Sequence, residues 1–438
     1  MSPPLADPSP TGAKPPHRSG TAPALRPFGA GRPVTPFCLG TMRALESPQQ
    51  MAAVLQAALE AGIRHIETAP AYGPAEAHLG AALRQLAGRD PERHAELVLT
   101  SKLLPGPDLA EGQEQLRAIL GRLGIPRLDN LAVHGLNRPE HLAWATRGPG
   151  AELLAWALDE GLVGQVGFSS HGELGLIEAA LASGRFRFCS LHLHLFDPSR
   201  LPLARAALAE GIGVLAISPA DKGGRLYAPP PELQADCAPF HPLELAYRFL
   251  LDQGISTLSL GAAQPGDLEW AAAIAGPAAA GGACGRSSPE SNRAGAASAA
   301  GFSAEASGGP DAQPQGPPPW LGPEHHAALE RLAAAGRERL GAERCGQCRA
   351  CLPCPNAVPI PELLRLRNLA VGHGMTPFAQ ERYNLIGRAG HWWEEVDAGA
   401  CARCGDCLPR CPHRLPIPDL LADTHRRLAA APRRRLWG

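Results

Sequence analysis

One short pattern is written twice near the C-terminus, CGQCRACLPCPNAVPIPELL from Cys345 and CARCGDCLPRCPHRLPIPDLL from Cys401, and it holds eight of the chain's 12 cysteines. In the later copy Cys401, Cys404, Cys407 and Cys411 fall at CxxCxxCxxxC before Pro412. In the earlier copy Cys345, Cys348, Cys351 and Cys354 fall at CxxCxxCxxC before Pro355, so the loop after the third sulfur is one residue shorter. A disulfide framework accounts poorly for this pattern. Thiols so closely spaced in series are poor partners for one another, and no secretory signal precedes them.

The later copy resembles the bacterial ferredoxin motif that holds a [4Fe–4S] cubane. Zinc is the competing occupant, but a structural zinc site usually takes one CxxC from each of two separated knuckles. Three sulfurs at every third residue favour the cubane. In two-cluster ferredoxins the fourth cysteine of each motif serves the other cluster. The resemblance therefore implies one cluster on Cys345, Cys348, Cys351 and Cys411, and a second on Cys401, Cys404, Cys407 and Cys354. The spacer between the copies, with Tyr383, His391, Trp392 and Trp393, is longer than in small ferredoxins and is similar to the helical ferredoxin modules of larger reductases. Packing around the clusters is the ordinary role for those aromatic side chains.

With 438 residues, 45% of them hydrophobic, the chain has room for one large domain and a smaller one; α/β barrels commonly take about 250 residues. A net charge of −1 gives no general reason to expect nucleic acid or an anionic membrane as partner, and no apolar run reaches the length of a membrane span. Thiolate ligands and the lack of a secretory h-region point to a reducing, cytoplasmic setting.

Residues 1–33, rich in Pro, Gly and Ser, read as a disordered tail. From Val34 short apolar runs alternate with helical stretches, the pattern of repeated βα units. Eight runs qualify as strands: Pro36–Leu39, Arg64–Glu67, Leu97–Thr100, Leu128–Val133, Val163–Phe168, Phe188–Leu193, Gly213–Ile217 and Thr257–Leu260. Eight units are what a closed (β/α)8 TIM barrel requires, here over 34–275. Gly62, Gly161, Gly211 and Gly254 follow helical stretches as C′ residues would. An open doubly wound sheet is the alternative, but no GxGxxG turn joins the first strand to a helix. Residues 276–319, dominated by Ala, Gly, Ser and Pro, read as a disordered linker or insertion. A connecting helix over 320–343 follows, which leads into the C-terminal domain or completes the barrel's last βα unit across the insertion. The α/β fold class is thus a barrel followed by a small, mainly helical, ferredoxin-like iron–sulfur domain over 344–430. The remaining cysteines, Cys38, Cys189, Cys237 and Cys284, carry no pattern.

In such a barrel chemistry sits at the C-terminal ends of the strands. There the chain has HIETAPAYG after the second run, LTSKL at the third and LAVHGLN at the fourth, which gathers Glu67, Tyr72, Lys102 and His134 around one mouth. Lys102 is conspicuous in a chain whose other lysines are Lys14 and Lys222. This set resembles the aldo/keto reductase family, whose motif has Asp, then Tyr five residues later, then Lys and His; Glu67 stands here for the Asp. The resemblance implies Tyr72 as general acid, Lys102 as the neighbour that lowers its pKa and His134 as the group that orients a carbonyl. A phenol of ordinary pKa, about 10, needs a nearby positive charge to serve at neutral pH.

The resemblance extends to GFSSHG at Gly167–Gly172 and ISPADKGGRLY at Ile217–Tyr227. It implies Ser169 as a nicotinamide contact, Ser218 as a further cofactor contact and Lys222 as a phosphate contact. The family's usual basic residue for an NADP 2′-phosphate has no counterpart in GAAQPGDLEW at Gly261–Trp270, so NADP(H) and NAD(H) both stand. The implied activity is an NAD(P)H-linked oxidoreductase of aldo/keto reductase type on a small carbonyl or alcohol, coupled to iron–sulfur electron transfer with an external partner. A hydride donor and one-electron centres need an intermediary between them, a bound flavin or a substrate able to form a radical. Two alternatives stand beside this: an electron-transfer or scaffold protein whose barrel has lost carbonyl chemistry, and clusters that are purely structural.

Overall fold

A computed structural model describes residues 25–220, 225–275, 320–388 and 395–430. Eight parallel strands form a closed barrel in chain order: β1 Phe37–Gly40, β2 His65–Glu67, β3 Val98–Leu103, β4 Leu128–Val133, β5 Val163–Ser170, β6 Phe188–His192, β7 Gly213–Ile217 and β8 Thr257–Gly261. Closure is made by β1 against β8, with Cys38 opposite Ser259 and Gly40 opposite Gly261. The strands read as near-continuous apolar runs because helices cover their outer faces while their inner side chains fill the barrel.

The helices follow from local signals. The helix Leu109–Leu123 starts at Asp108, whose side chain accepts from the backbone N–H of Glu111, and ends at Gly124, left-handed with φ 70°. Its buried Leu116, Ile119, Leu120 and Leu123 recur at the spacing of one helical face. Gly62, Gly161, Gly211 and Gly254 likewise have φ of 80°, 67°, 72° and 84°, the conformation glycine adopts without steric cost.

The bottom of the barrel is closed by a segment that composition assigned to a disordered tail over 1–33. Arg26 and Val34 form an antiparallel bridge, and Phe28 between them is buried, its ring 5.1 Å from that of Phe188 and 5.4 Å from that of His65. The Gln165 side chain fixes the turn, donating to Phe28 O at 2.9 Å and accepting from the Ala30 N–H at 3.0 Å. Residues 25–33 thus belong to the folded barrel. Two apolar side chains among prolines and glycines give no periodicity, and only the barrel floor decides their burial.

The barrel's last unit is completed by the helix Glu269–Ala275, which follows β8 and the one-turn helix Pro265–Leu268. The long helix Pro323–Leu340 does not replace it. It packs instead between the barrel and the C-terminal elements, with Arg339 paired to Asp236 at 2.5 Å and bonded to Gly372 O at 3.0 Å. The linker 276–319, with Cys284, and most of the tail lie outside the described residues.

Beyond it, helices Ile360–His373, Thr376–Tyr383 and Ile417–Leu428 pack together, and the cysteine loops lead into the first and third of them. Arg367, buried in the first, donates to Asp423 of the third at 2.9 Å and pairs with Glu343, while Arg427 also reaches Asp423 at 2.7 Å. Without Asp423 the buried Arg367 would keep only the half-exposed Glu343 as counter-charge, a cost of about 1–3 kcal/mol. Asp423→Ala should therefore lower the thermal stability of the C-terminal elements clearly, by that order; a loss well under about 1 kcal/mol would contradict the role given to Asp423.

Candidate active site and cysteine module

Lys102 projects from β3 inside the mouth, buried at 2% exposure, with Glu67 at the end of β2 at 3% and His134 just after β4 at 6%. Tyr72 arrives on the one-turn helix Pro70–Tyr72 that follows β2. Lys102 Nζ donates to Tyr72 Oη at 2.7 Å and pairs closely with Glu67 Oε1, and Tyr72 Oη donates weakly to the same carboxylate oxygen at 3.4 Å. The His134 ring stands edge-on to that of Tyr72, with centroids 5.7 Å apart. All four residues singled out in the sequence meet in one cluster.

The electrostatics of this cluster differ from the expectation in one respect. Burial works against the Lys102 ammonium, but the charges of Glu67 and Tyr72 outweigh it and hold its pKa above the usual value. Burial raises the Tyr72 phenol, Lys102 pulls it down and Glu67 pushes it up, and the result lies above the ordinary value rather than below it. Burial is the first reason the lysine's pull is not decisive, and the glutamate adds to it. One methylene longer than aspartate, it neutralises the ammonium and also touches the phenol. The phenol therefore stays protonated at neutral pH.

Ser169, buried at the end of β5, accepts from the Gly135 N–H at 2.9 Å, next to His134. Ser218, at the end of β7, has φ 56°, a conformation costly for a residue with Cβ and often found at functional sites. Lys222 lies outside the described residues, as do His391, Trp392 and Trp393.

Other polar residues at the mouth escaped sequence reasoning. His192 at the end of β6 has Nε2 2.6 Å from Nδ1 of His171, and the His171 N–H donates to Asn137 Oδ1 at 2.7 Å. The alternation HLHL at His192–Leu195 was a signal for inward-pointing imidazoles.

The C-terminal elements reach this same face of the barrel. Arg138 after β4 pairs with Glu395 at 3.5 Å, Glu173 after β5 with Arg349 at 2.6 Å, and Asp197 after β6 with Arg365 at 3.9 Å; the Phe196 ring lies 4.9 Å from that of His373. Burial would raise the Asp197 carboxyl, but His194, Arg365 and Arg200 hold it well below the usual carboxylate range.

The eight motif cysteines line two cavities. Cys354, Cys401, Cys404 and Cys407 surround one; Cys345, Cys348, Cys351 and Cys411 surround the other. Each cavity thus takes three sulfurs from one copy of the pattern and one from the other. All eight are free thiols, and among the described residues no three or more His, Cys, Asp or Glu converge on a site for a single metal ion. Cys38, Cys189 and Cys237 are buried elsewhere, and burial pushes the thiols of the last two up to about 12.

Residues 36–239 match the aldo/keto reductase family model. They form an aldo/keto reductase domain. The barrel is that of an aldo/keto reductase-like oxidoreductase, and the match ends before β8 and before the cysteine module. Similar solved structures include an aldo-keto reductase from Pseudomonas aeruginosa, 24% identical over 59% of this chain and 97% of that one, TM-score 0.48. Another is the holo form of the Bacillus halodurans aldo-keto reductase AKR11C1, 19% identical over 57% of this chain and 91% of that one, TM-score 0.48. A third is the Bombyx mori aldo-keto reductase AKR2E4 in complex with NADP, 20% identical over 58% of this chain and 88% of that one, TM-score 0.46. No curated protein sequence matches the chain. Among the described residues no helix is long and apolar enough to cross a membrane.

Proposed function

We propose that the chain is a nicotinamide-dependent reductase of small carbonyl compounds, joined to a module that holds two [4Fe–4S] clusters. The observation that carries the first half is the 2.7 Å contact of Lys102 Nζ with Tyr72 Oη inside the barrel mouth. Family membership of the barrel and the NADP bound by the Bombyx mori relative favour NADP(H) as the donor, with Ser169 and Ser218 among its contacts and Lys222 as a phosphate contact.

Bound nicotinamide supplies the hydride. Tyr72 hands its phenolic proton to the carbonyl oxygen as negative charge develops there, a contribution worth about 10²–10⁴ in rate. Lys102 stabilises the phenolate left behind, and Glu67 holds the ammonium against the phenol. His134, edge-on to Tyr72, fixes the carbonyl oxygen. Anaerobic incubation with NADPH or NADH and a panel of aldehydes and ketones tests this reading. Nucleotide oxidation matched by alcohol formation is expected; bound nucleotide with no turnover on any carbonyl would contradict it. That result would favour an electron-transfer or scaffold barrel, the reading to which the Glu67–Tyr72 contact and the raised phenol lend some support.

For the module, support comes from the donor set. Four thiolates on one zinc ion would converge at about 2.3 Å from a common point, whereas here each quartet lines a cavity, three sulfurs from one copy of the pattern and one from the other. Left-handed residues interrupt both cysteine loops, and alternating backbone conformations of this kind turn N–H groups inward as an anion-binding nest, as at Fe–S sites. Cys345, Cys348, Cys351 and Cys411 would hold one cluster, and Cys401, Cys404, Cys407 and Cys354 the other. Such clusters supply one-electron transfer, so their electrons come from an external partner or through a bound flavin. Flavin-free protein mixed anaerobically with NADPH alone should accordingly keep its cluster absorbance; rapid bleaching would contradict this division.

A further inference from the structure

The two cysteine loops place left-handed residues at equivalent positions. Gln347 and Arg403 precede the second cysteine with φ of 59° and 56°, Arg349 and Gly405 follow it with 63° and 85°, and Ala357 and Arg414 come after the last with 53° and 51°. Directly after the second cysteine, then, the later copy has glycine, which takes this conformation freely. The earlier copy has arginine, for which it is sterically unfavourable. Gln347, Ala357, Arg403 and Arg414 share the conformation, so what sets Arg349 apart is what its side chain touches.

Arg349 has contacts on three sides. It lines the cavity of Cys345, Cys348, Cys351 and Cys411. Its guanidinium pairs with Glu362 within the module, and it also pairs with Glu173 of the barrel at 2.6 Å. Glu173 is the N-cap residue of the helix Leu174–Ala182, which leaves β5 just after Ser169, Ser170 and His171. The other cavity differs. At the position of Arg349 it has Gly405, which offers no side chain, and the arginine that does line it, Arg410, donates to the module's own Asp406 O and Pro353 O.

Resting on the reading of the quartets as cluster ligands, we propose that Arg349 is an electrostatic link between the cluster held by Cys345, Cys348, Cys351 and Cys411 and the loop after β5. The guanidinium is shared between that cluster's negative charge and Glu173. When one electron enters from a one-electron reductant, the cluster's net charge becomes one unit more negative, with no bond made or broken. Arg349 is then drawn inward and its hold on Glu173 weakens. The coupling is reciprocal: a ligand that fixes the loop after β5 changes how readily this cluster is reduced. Arg349 is a positioning residue, and through it the quartet of Cys345 is wired to the barrel mouth.

The test uses anaerobically purified full-length protein, with amide hydrogen exchange of residues 171–176 measured before and after reduction by dithionite. Exchange should become about two- to fivefold faster on reduction, the size expected for losing an ion pair of this exposure. Glu173→Gln, at a side chain 74% exposed, should leave exchange fast in both states, and Arg349→Gly should do the same. In potentiometric titrations Arg349→Gln should lower the potential of one cluster, because a neighbouring cation favours the more negative state, and leave the other unmoved. Redox-independent exchange in the wild type, or an undiminished redox response in Glu173→Gln, would overturn the proposal. Protein without iron and labile sulfide would overturn the cluster reading itself, and the two failures are told apart by that count.

Discussion

Tyr72→Phe is expected to reduce the rate of carbonyl reduction by about 10³-fold while leaving nucleotide affinity nearly unchanged, since the phenol proton is required in the transition state and not for binding. The variant keeps the ring beside His134 and removes only the oxygen 2.7 Å from Lys102 Nζ, so packing is preserved. Transient kinetics with nucleotide fluorescence would separate the two effects. Wild-type kcat in the variant would require another acid at the mouth.

The same site predicts a pH dependence. Reduction needs protonated Tyr72, and the phenol's pKa is raised by burial and by Glu67 against the pull of Lys102. Reduction should therefore persist through neutral pH and fail only as pH rises through the phenol's titration. Alcohol oxidation, which needs the phenolate, should improve in that alkaline range. Glu67→Gln removes a charge that raises the phenol, so the alkaline limb of reduction should move to lower pH. A limb that stays in place or moves upward would show that Glu67 does not set the phenol's proton affinity.

The second large effect concerns the cysteines. Cys411 belongs to the later motif by sequence but lines the cavity of Cys345, Cys348 and Cys351. Cys411→Ser is therefore expected to disturb the cluster of the earlier motif and spare the one built on Cys401, Cys404 and Cys407, with a loss of up to about four irons. Cys354→Ser should do the converse. Paramagnetic resonance of the reduced variants distinguishes the two signals; loss of the cluster of its own motif from either variant would show that the fourth cysteines do not cross over.

Much of this arrangement was legible from the chain alone. The strands are buried on both faces, so they stand out as apolar runs, and the glycines closing helices fixed their spacing. Lys102 was visible because lysine is rare here, although it lies within β3, which runs on to Leu103 beyond the apolar run ending at Thr100. Inside a barrel mouth a buried polar residue can continue a strand when partners such as Glu67 and Tyr72 satisfy it, and no local pattern announces that.

What stayed hidden depends on pairs far apart in sequence. Phe28 is buried by Phe188 and His65, and Arg349 meets Glu173 across 176 residues. The sign of the net shift at Tyr72 was hidden for a related reason. The sequence showed a glutamate for an aspartate, but only geometry shows how fully the phenol is buried, the largest effect on it, and that the longer side chain both touches the phenol and pairs with the lysine.

The central claim is that one chain joins a hydride-transfer barrel to a pair of one-electron centres. Iron, zinc and acid-labile sulfide counted on anaerobically purified full-length protein test it most directly. About eight iron and eight sulfide per chain are expected, as two cubanes require, with a brown colour that dithionite bleaches. Stoichiometric zinc without labile sulfide would contradict it, leaving an aldo/keto reductase barrel with a metal-stapled appendage.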